Sequence, residues 1–252
     1  RVMGDFHRAM SLAPKSSDLY PAPLTQIKKD LWVQTMSERL EERLCKVEKL
    51  VEFYPDYSGI FFLLRANSKN YFDKFLSITD FGLHIRIHGN MHLGQLYLGQ
   101  DDLYLVDYNA DSFESLDYQK IKQPCLKDVA SLLGSFRFTW YFTEKKFYDD
   151  ISSSTDSIED FSFTKKQKHS SRLQNIASLL EIESVFMRFY NNTLDENLNA
   201  EELRPKSSKE FHDLLQFFLF MKYVKEIGRE TKHPNPRSKV WFQVLQEFMT
   251  HV

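Results

Sequence analysis

The chain has little sulfur chemistry to offer. Only Cys45 and Cys125 occur in 252 residues, which excludes a disulfide framework and a CxxC metal or redox pair, and which fits a reducing, cytoplasmic setting. The eight glycines, Gly4, Gly59, Gly82, Gly89, Gly94, Gly99, Gly134 and Gly228, are scattered without a GxGxxG or GKS/GKT run. No glycine-rich phosphate cradle is therefore encoded here, nor the strand-borne lysine that accompanies one. No segment reaches the ~20 apolar residues of a bilayer span, and the amino terminus lacks the layout of a signal peptide, so no membrane partner is expected. The net charge of −2 comes from 33 basic and 35 acidic residues. Such a balance has no footprint for nucleic acid.

What is present suits a packed globule. Hydrophobic residues make up 42% and aromatic residues 15%, with 22 Phe, enough for a sizeable core in one domain or two packed ones. The chain opens on an amphipathic segment with Val2, Phe6 and Met10 on one stripe, which suggests that sequence precedes it. From Leu24 to Val51, Leu24, Ile27, Leu31, Met36, Leu40, Leu44, Val47 and Val51 recur at helical spacing and predict a long helix after Pro21 and Pro23. A short helix is expected from Lys69 to Ile78. Leu83 to Ile87, Gln95 to Leu98 and Leu103 to Val106 read as β-type runs, the last two joined by a tight turn at Gly99 to Asp102. Leu126 to Phe142 predicts a buried helix, residues 149–171 a mobile polar connection, and Arg172 to Tyr190, Ser207 to Glu230 and Ser238 to His251 three further helices. The expected fold is mainly α (α+β): a helical bundle with a small β-hairpin carrying a polar loop.

That loop concentrates the chemistry. A strand ending at His88-Gly89 places the next polar side chains on a loop, and the hairpin returns Asp107 to the same end of the small sheet. Gln95 and Asp107 can thus converge on one hard cation. Mg²⁺ takes oxygen ligands and keeps several waters, so one amide oxygen and one carboxylate are a sufficient protein share. Asp107 alone would read as an ordinary turn residue. His84, His88 and His92 recur every four residues, but Gly89 and the β-type flanks argue against a helical zinc face; His88 suits backbone hydrogen bonding in the loop. His7 on its amphipathic helix reads as a satisfied, partly buried histidine. Asp128 opens a helix, where a carboxylate favours the dipole, and Glu226 with Glu230 fits a solvated face. Trp140, Tyr141 and Tyr223 offer rings to a sugar, though core packing is the plainer reading.

The segment His88-Gly89-Asn90-Met91-His92-Leu93-Gly94-Gln95 resembles the His-Gly-Asp-Tyr-His-Leu-Gly-Gln signature of bacterial maltokinases, including those fused to trehalose synthases, among the aminoglycoside-phosphotransferase-like kinases. Lys122-Gln123-Pro124-Cys125-Leu126-Lys127-Asp128-Val129-Ala130 is similar to the family's Lys-Gln-Ser-Pro-Leu-Arg-Asp-Val-Ala, and the match continues to Ser135-Phe136. Phe6 to Met10 resembles its Leu-His-x-Ala-Leu helix, and Tyr20 to Thr25 the Pro-rich stretch before its long helix.

The resemblance implies that residues 1–252 form the carboxy-terminal lobe of a kinase-like phosphotransferase. Helices would occupy 1–80, the catalytic loop and hairpin 83–108, and a helical part 126–252, with the ATP lobe outside this chain. It implies ATP and Mg²⁺ as cofactors, maltose or a related α-glucoside as substrate, and a fused or associated trehalose synthase as a partner. Asn90 stands at the family's catalytic aspartate, flanked by His88 and His92. Gln95 and Asp107 take the metal roles, and Asp128, Glu226 and Glu230 the substrate-binding ones. The family's Asp-Phe-Glu-Gly appears as Asp107-Tyr108-Asn109-Ala110, and its helical Tyr, Arg and Tyr as Lys225, Gly228 and Arg229. A neutral amide at position 90 positions a hydroxyl but takes no proton. Three readings follow: an active sugar kinase, a kinase fold that binds oligosaccharide without turnover, and a helical interaction module.

Overall fold

The computed structural model describes residues 1–108, 120–154, 158–196, 201–229 and 236–250. Helix α1 (Val2–Ser11) buries Met3, Gly4 and His7, whereas the predicted stripe of Val2, Phe6 and Met10 is half-buried. Two contacts turn the helix that way. His7 is drawn inward by polar partners described below, and Gly4 lets the helix approach Thr193, whose Cβ would lie 2.8 Å from a side chain at that position.

Helix α2 (Gln26–Val51) buries Trp32, Met36, Leu40, Leu44, Val47 and Leu50, the stripe expected from the 3.6 period, except at its start. Ile27 and Leu31, counted in the predicted stripe, are 76% and 61% exposed, and Trp32 takes the inner face instead. Helix α3 (Ser58–Leu76) begins well before the predicted Lys69, behind a 3₁₀ turn at Pro55–Tyr57. Its first turns carry exposed Phe62 and Leu63 beside buried Leu64, and apolar residues on opposite faces conceal a helical period from the sequence.

Strands β2 (Leu96–Leu98) and β3 (Leu103–Leu105) form the predicted hairpin, with Leu96 opposite Leu105 and Gly99 N–H donating to the Asp102 carbonyl at 2.8 Å across the turn. Strand β1 (His84–Ile85) pairs instead with β4 (Gln123–Pro124), an antiparallel partner the sequence did not indicate, and is bridged to Ala22 on its other side.

Helices α4 (Leu126–Ser154) and α5 (Ile158–Asp195) run through most of the stretch expected to be a mobile connection. Polarity signals solvation, and a solvated helix and a loop share that signal, so composition alone misassigned the backbone. Helices α6 (Ser208–Arg229) and α7 (Pro236–Thr250) complete the bundle close to their predicted bounds.

The core is organised around α6, which packs against α2, α3, α4 and α7 and is buried on nearly all sides from Leu214 to Val224. This is where the phenylalanines go. Phe217 stacks on Phe75 with ring centroids 4.0 Å apart and Phe220 on Tyr71 at 4.5 Å, while Trp32 meets Phe75, Phe81, His84 and Phe218. Offset and edge contacts of this kind add to the area term of burial.

His84 is carried into this core. Burial pushes its pKa down from 6.5 to about 4, outweighing the Lys122 carbonyl contact that acts in the opposite sense. The unfolded chain therefore binds a proton that the folded chain refuses between pH 6.5 and 4. Stability is expected to be unaffected by this group above pH 6.5 and to fall by about 3 kcal/mol as the pH drops to 4. Urea midpoints recorded across that range check it, and His84→Gln is expected to flatten the slope.

Candidate active site

The loop between β1 and β2 is held from below by one carboxylate. Asp128, in the first turn of α4, accepts from the His88 N–H at 2.7 Å and the Gly89 N–H at 2.9 Å, and its Oδ2 lies 3.2 Å from His7 Nε2. His7 Nδ1 in turn meets the Tyr190 hydroxyl at 2.9 Å, so α1, α5 and α4 converge under the loop. Burial alone would raise the Asp128 pKa, yet its hydrogen bond to His7, the His7 charge and the Gly89 N–H overcome that and hold it below 3.8. Asp128 is only 1% exposed, and its observed contacts are to the loop backbone and His7. Gly89 turns the chain here at φ +83°, a backbone state that favours glycine.

His88 is equally inward. It is 1% exposed, and its Nε2–H donates to the Val106 carbonyl at 3.0 Å, tying the loop to the residue before Asp107. The ring braces the loop against the hairpin from the inside. Asn90 follows, half-buried, with its Oδ1 buried and without a protein partner. Leu93 N–H is fixed by the Ser135 hydroxyl on α4 at 3.0 Å.

Gln95 and Asp107 come together as the loop-and-hairpin geometry requires: Gln95 Nε2 lies 3.0 Å from Asp107 Oδ2. Gln95 is buried at the end of a 3₁₀ turn (Leu93–Gln95) just before β2, and Asp107 sits just beyond β3. Asp107 has φ +61°, the one non-glycine residue with positive φ among the described residues. Aspartate tolerates that region better than most residues, and such strain gathers at functional sites.

The hydrogen bonding around Gln95 bears on the metal. His92 Nδ1 accepts from the Gly94 N–H at 3.1 Å, and its Nε2 faces the Gln95 amide nitrogen at 3.2 Å. A neutral imidazole accepts at one nitrogen only, so with Nδ1 occupied Nε2 carries the hydrogen and meets a second donor. A half-turn of the Gln95 amide resolves this by letting Oε1 accept from His92. That turn sets Oε1 against the Asp107 carboxylate, an arrangement of two oxygens that a cation between them would complete. The donor set fits Mg²⁺. No cluster of three His, Cys, Asp or Glu side chains suited to a metal occurs among the described residues; His84, His88 and His92 point to different partners.

Glu226 stands on α6 between Lys222 Nζ at 2.8 Å and Arg229 Nη1 at 3.1 Å. Burial opposes its ionisation, but Lys222, Arg229 and Lys225 bring its pKa down to about 2. The charges of Lys222, Glu226 and Arg229 also act on His92, whose pKa burial lowers, so this end of α6 lies beside the loop. Glu230, Asn109 and Ala110 lie outside the described residues. Tyr141 and Tyr223 are core residues, 5% and 0% exposed. Trp140 lines a cavity of about 630 Å³ with Leu93, Phe136, Thr139 and Thr143, next to the loop. The His7–Tyr190 support of Asp128 escaped the sequence reading, since nothing in its spacing links α1 to α5.

No protein-family profile matches the chain. Among solved structures it is similar to glucosamine kinase. One crystal form of that enzyme gives a TM-score of 0.69 at 17% identity, covering 99% of this chain and 52% of the other. A second crystal form gives 0.62 at 18%, covering 99% and 51%. The complex with glucosamine, ADP and inorganic phosphate gives 0.58 at 19%, covering 99% and 52%. The chain thus spans about half the length of the structures it matches, and over that half it shares the kinase-like fold of a sugar kinase.

Proposed function

We propose that this chain is the helical, carboxy-terminal lobe of a sugar phosphotransferase that moves the γ-phosphate of ATP to a sugar hydroxyl. The observation that carries the reading is the meeting of Gln95 and Asp107 at 3.0 Å beside the Asn90 loop. With the Gln95 amide turned, Gln95 Oε1 and the Asp107 carboxylate would hold a Mg²⁺, which would neutralise phosphate charge there. The chain's own residues do the rest. Asp128 fixes the loop backbone, His88 couples it to β3, His92 orients the Gln95 amide, and Asn90 orients the acceptor hydroxyl. Trp140 offers an aromatic face to the sugar, and the Lys222–Glu226–Arg229 group borders it. The glucosamine kinase complex with its sugar and ADP supports a sugar acceptor. The maltokinase-like loop motif favours maltose or a related α-glucoside, and a trehalose synthase partner rests on that motif alone.

Asn90 favours a second reading, in which the same site holds nucleotide and oligosaccharide without turnover. Binding of Mn²⁺–ATP to the full-length protein separates both readings from a helical interaction module. Calorimetry is expected to show saturable binding that Asp107→Asn weakens at least about tenfold. Binding that ignores both Asp107→Asn and Gln95→Leu would remove the metal site from the account. ADP release that depends on an added glucoside then distinguishes the active enzyme from the inactive one.

A further inference from the structure

Helix α1 touches the candidate site on two sides through consecutive residues. His7, fully buried, lies 3.2 Å from Asp128 Oδ2, the oxygen that also accepts the His88 N–H at 2.7 Å, while Oδ1 takes the Gly89 N–H. Phe6 packs against Tyr108, the neighbour of Asp107, with ring centroids 5.6 Å apart, and Tyr108 in turn meets the His88 ring at 5.4 Å. The helix itself is closely seated. Met3 is buried, and Gly4 lies so near α5 that a Cβ there would come within 2.8 Å of the Thr193 Cβ.

The hydrogen bonds behind His7 have a direction. Burial holds the Tyr190 hydroxyl well above its ordinary pKa of 10, so it keeps its proton and can donate to His7 Nδ1 at 2.9 Å. The other ring nitrogen then carries a hydrogen and donates to Asp128. Burial pushes the Asp128 pKa up, and among the influences that oppose it the His7 hydrogen bond and charge come first, ahead of the Gly89 N–H and His88. Without His7, burial would work against this carboxylate with little but the loop to resist it. A protonated Asp128 turns one of its oxygens into a donor, and one loop N–H then loses its acceptor.

We propose that His7 and Phe6 are positioning residues of this site: His7 holds the Asn90 loop through Asp128, Phe6 holds the Asp107 end of the hairpin through Tyr108, and α1 thereby sets the loop against Gln95 and Asp107. The consequence for catalysis rests on the phosphotransferase reading, whereas the positioning does not. It matters there because a displacement of about 1 Å at a reacting centre costs about 10²-fold in rate. His7, with no exposed surface, acts only through Asp128.

Hydrogen exchange of the full-length protein without nucleotide or sugar tests this, read as protection factors of the His88 and Gly89 amides. His7→Phe keeps a buried ring and removes both nitrogens. It is expected to lower protection at these two amides about tenfold at neutral pH, and further as the pH falls to about 5, where the parent stays flat. The sign follows from Asp128, which remains charged in the parent and takes up a proton at higher pH in the variant. His88, the other titratable group acting on Asp128, is common to both proteins. Burial keeps the Tyr190 hydroxyl and the Cys125 thiol, the latter pushed up to about 11, from titrating in this range, and Arg204 beside them stays charged. His7→Gln, whose amide N–H can replace Nε2–H, is expected to restore most of the protection. Phe6→Ala is expected to spare His88 and Gly89 and to lower protection about threefold at the Val106 amide, which donates to the Gln95 carbonyl at 3.0 Å. Unchanged protection at His88 and Gly89 in His7→Phe, a flat pH profile, no recovery in His7→Gln, an equal loss at the α6 amides, or an unmoved Val106 amide in Phe6→Ala would overturn the proposal. Should His7→Phe fail to fold, Tyr190→Phe decides in its place, with a local loss of about threefold expected and no loss overturning it. No nucleotide enters the measurement, so its outcome is independent of the Mn²⁺–ATP titration that tests the phosphotransferase reading.

Discussion

Replacing Asn90 with aspartate is expected to raise sugar-dependent ADP release by the full-length protein by about 10²–10⁴-fold. The amide of Asn90 can hold an acceptor hydroxyl in line with a phosphate, but its oxygen is too weak a base to receive the proton that hydroxyl loses. A carboxylate of the same shape accepts it. Asn90 Oδ1 is buried and takes no hydrogen bond from the protein; the exchange keeps that oxygen and puts the second one in the place of Nδ2. Two controls make the outcome specific. Asn90→Ala is expected to give no gain, and Asn90→Asp combined with Asp107→Asn is expected to lose the gain. ADP release that stays flat in Asn90→Asp while Mn²⁺–ATP still binds would show that more than a base is missing, and would favour the non-catalytic reading.

The second large effect concerns Asp128. Asp128→Ala is expected to destabilise the fold by about 3–5 kcal/mol in urea unfolding, because it strands the His88 and Gly89 N–H groups and leaves the His7 ring without its acceptor. Asp128→Asn keeps one acceptor oxygen and is expected to cost less, about 1–3 kcal/mol. A substrate-binding carboxylate behaves differently, since its removal spares stability and harms only sugar affinity. A variant that folds as stably as the parent while losing sugar binding would return Asp128 to the substrate role that its place in the motif first suggested.

Much of the candidate site was legible in the sequence because its order is local. His88 to Gln95 form one short loop, and a two-stranded hairpin with a four-residue turn leaves few places for Asp107 other than beside Gln95. The hairpin register, the long α2 and the buried α4 follow from periods of two and 3.6 that need no tertiary information. The inward turn of α1, the antiparallel pairing of β1 with β4, and the apolar start of α3 carry no such period. Each is settled by what lies on the other side of the contact: Thr193 against Gly4, Gln123 opposite Ile85, and α6 behind α3.

The sequence by itself determined the mainly helical composition of the fold, the hairpin, and the grouping of Asn90, Gln95 and Asp107 around one loop. Only the tertiary structure decided which polar residues of that neighbourhood are fully buried beneath the loop and which are not. Asp128 and His88 have the identity of functional residues and the burial of structural ones. That distinction depends on contacts across 121 and 18 residues of chain, where closure of the fold sets the distance and local spacing carries no signal.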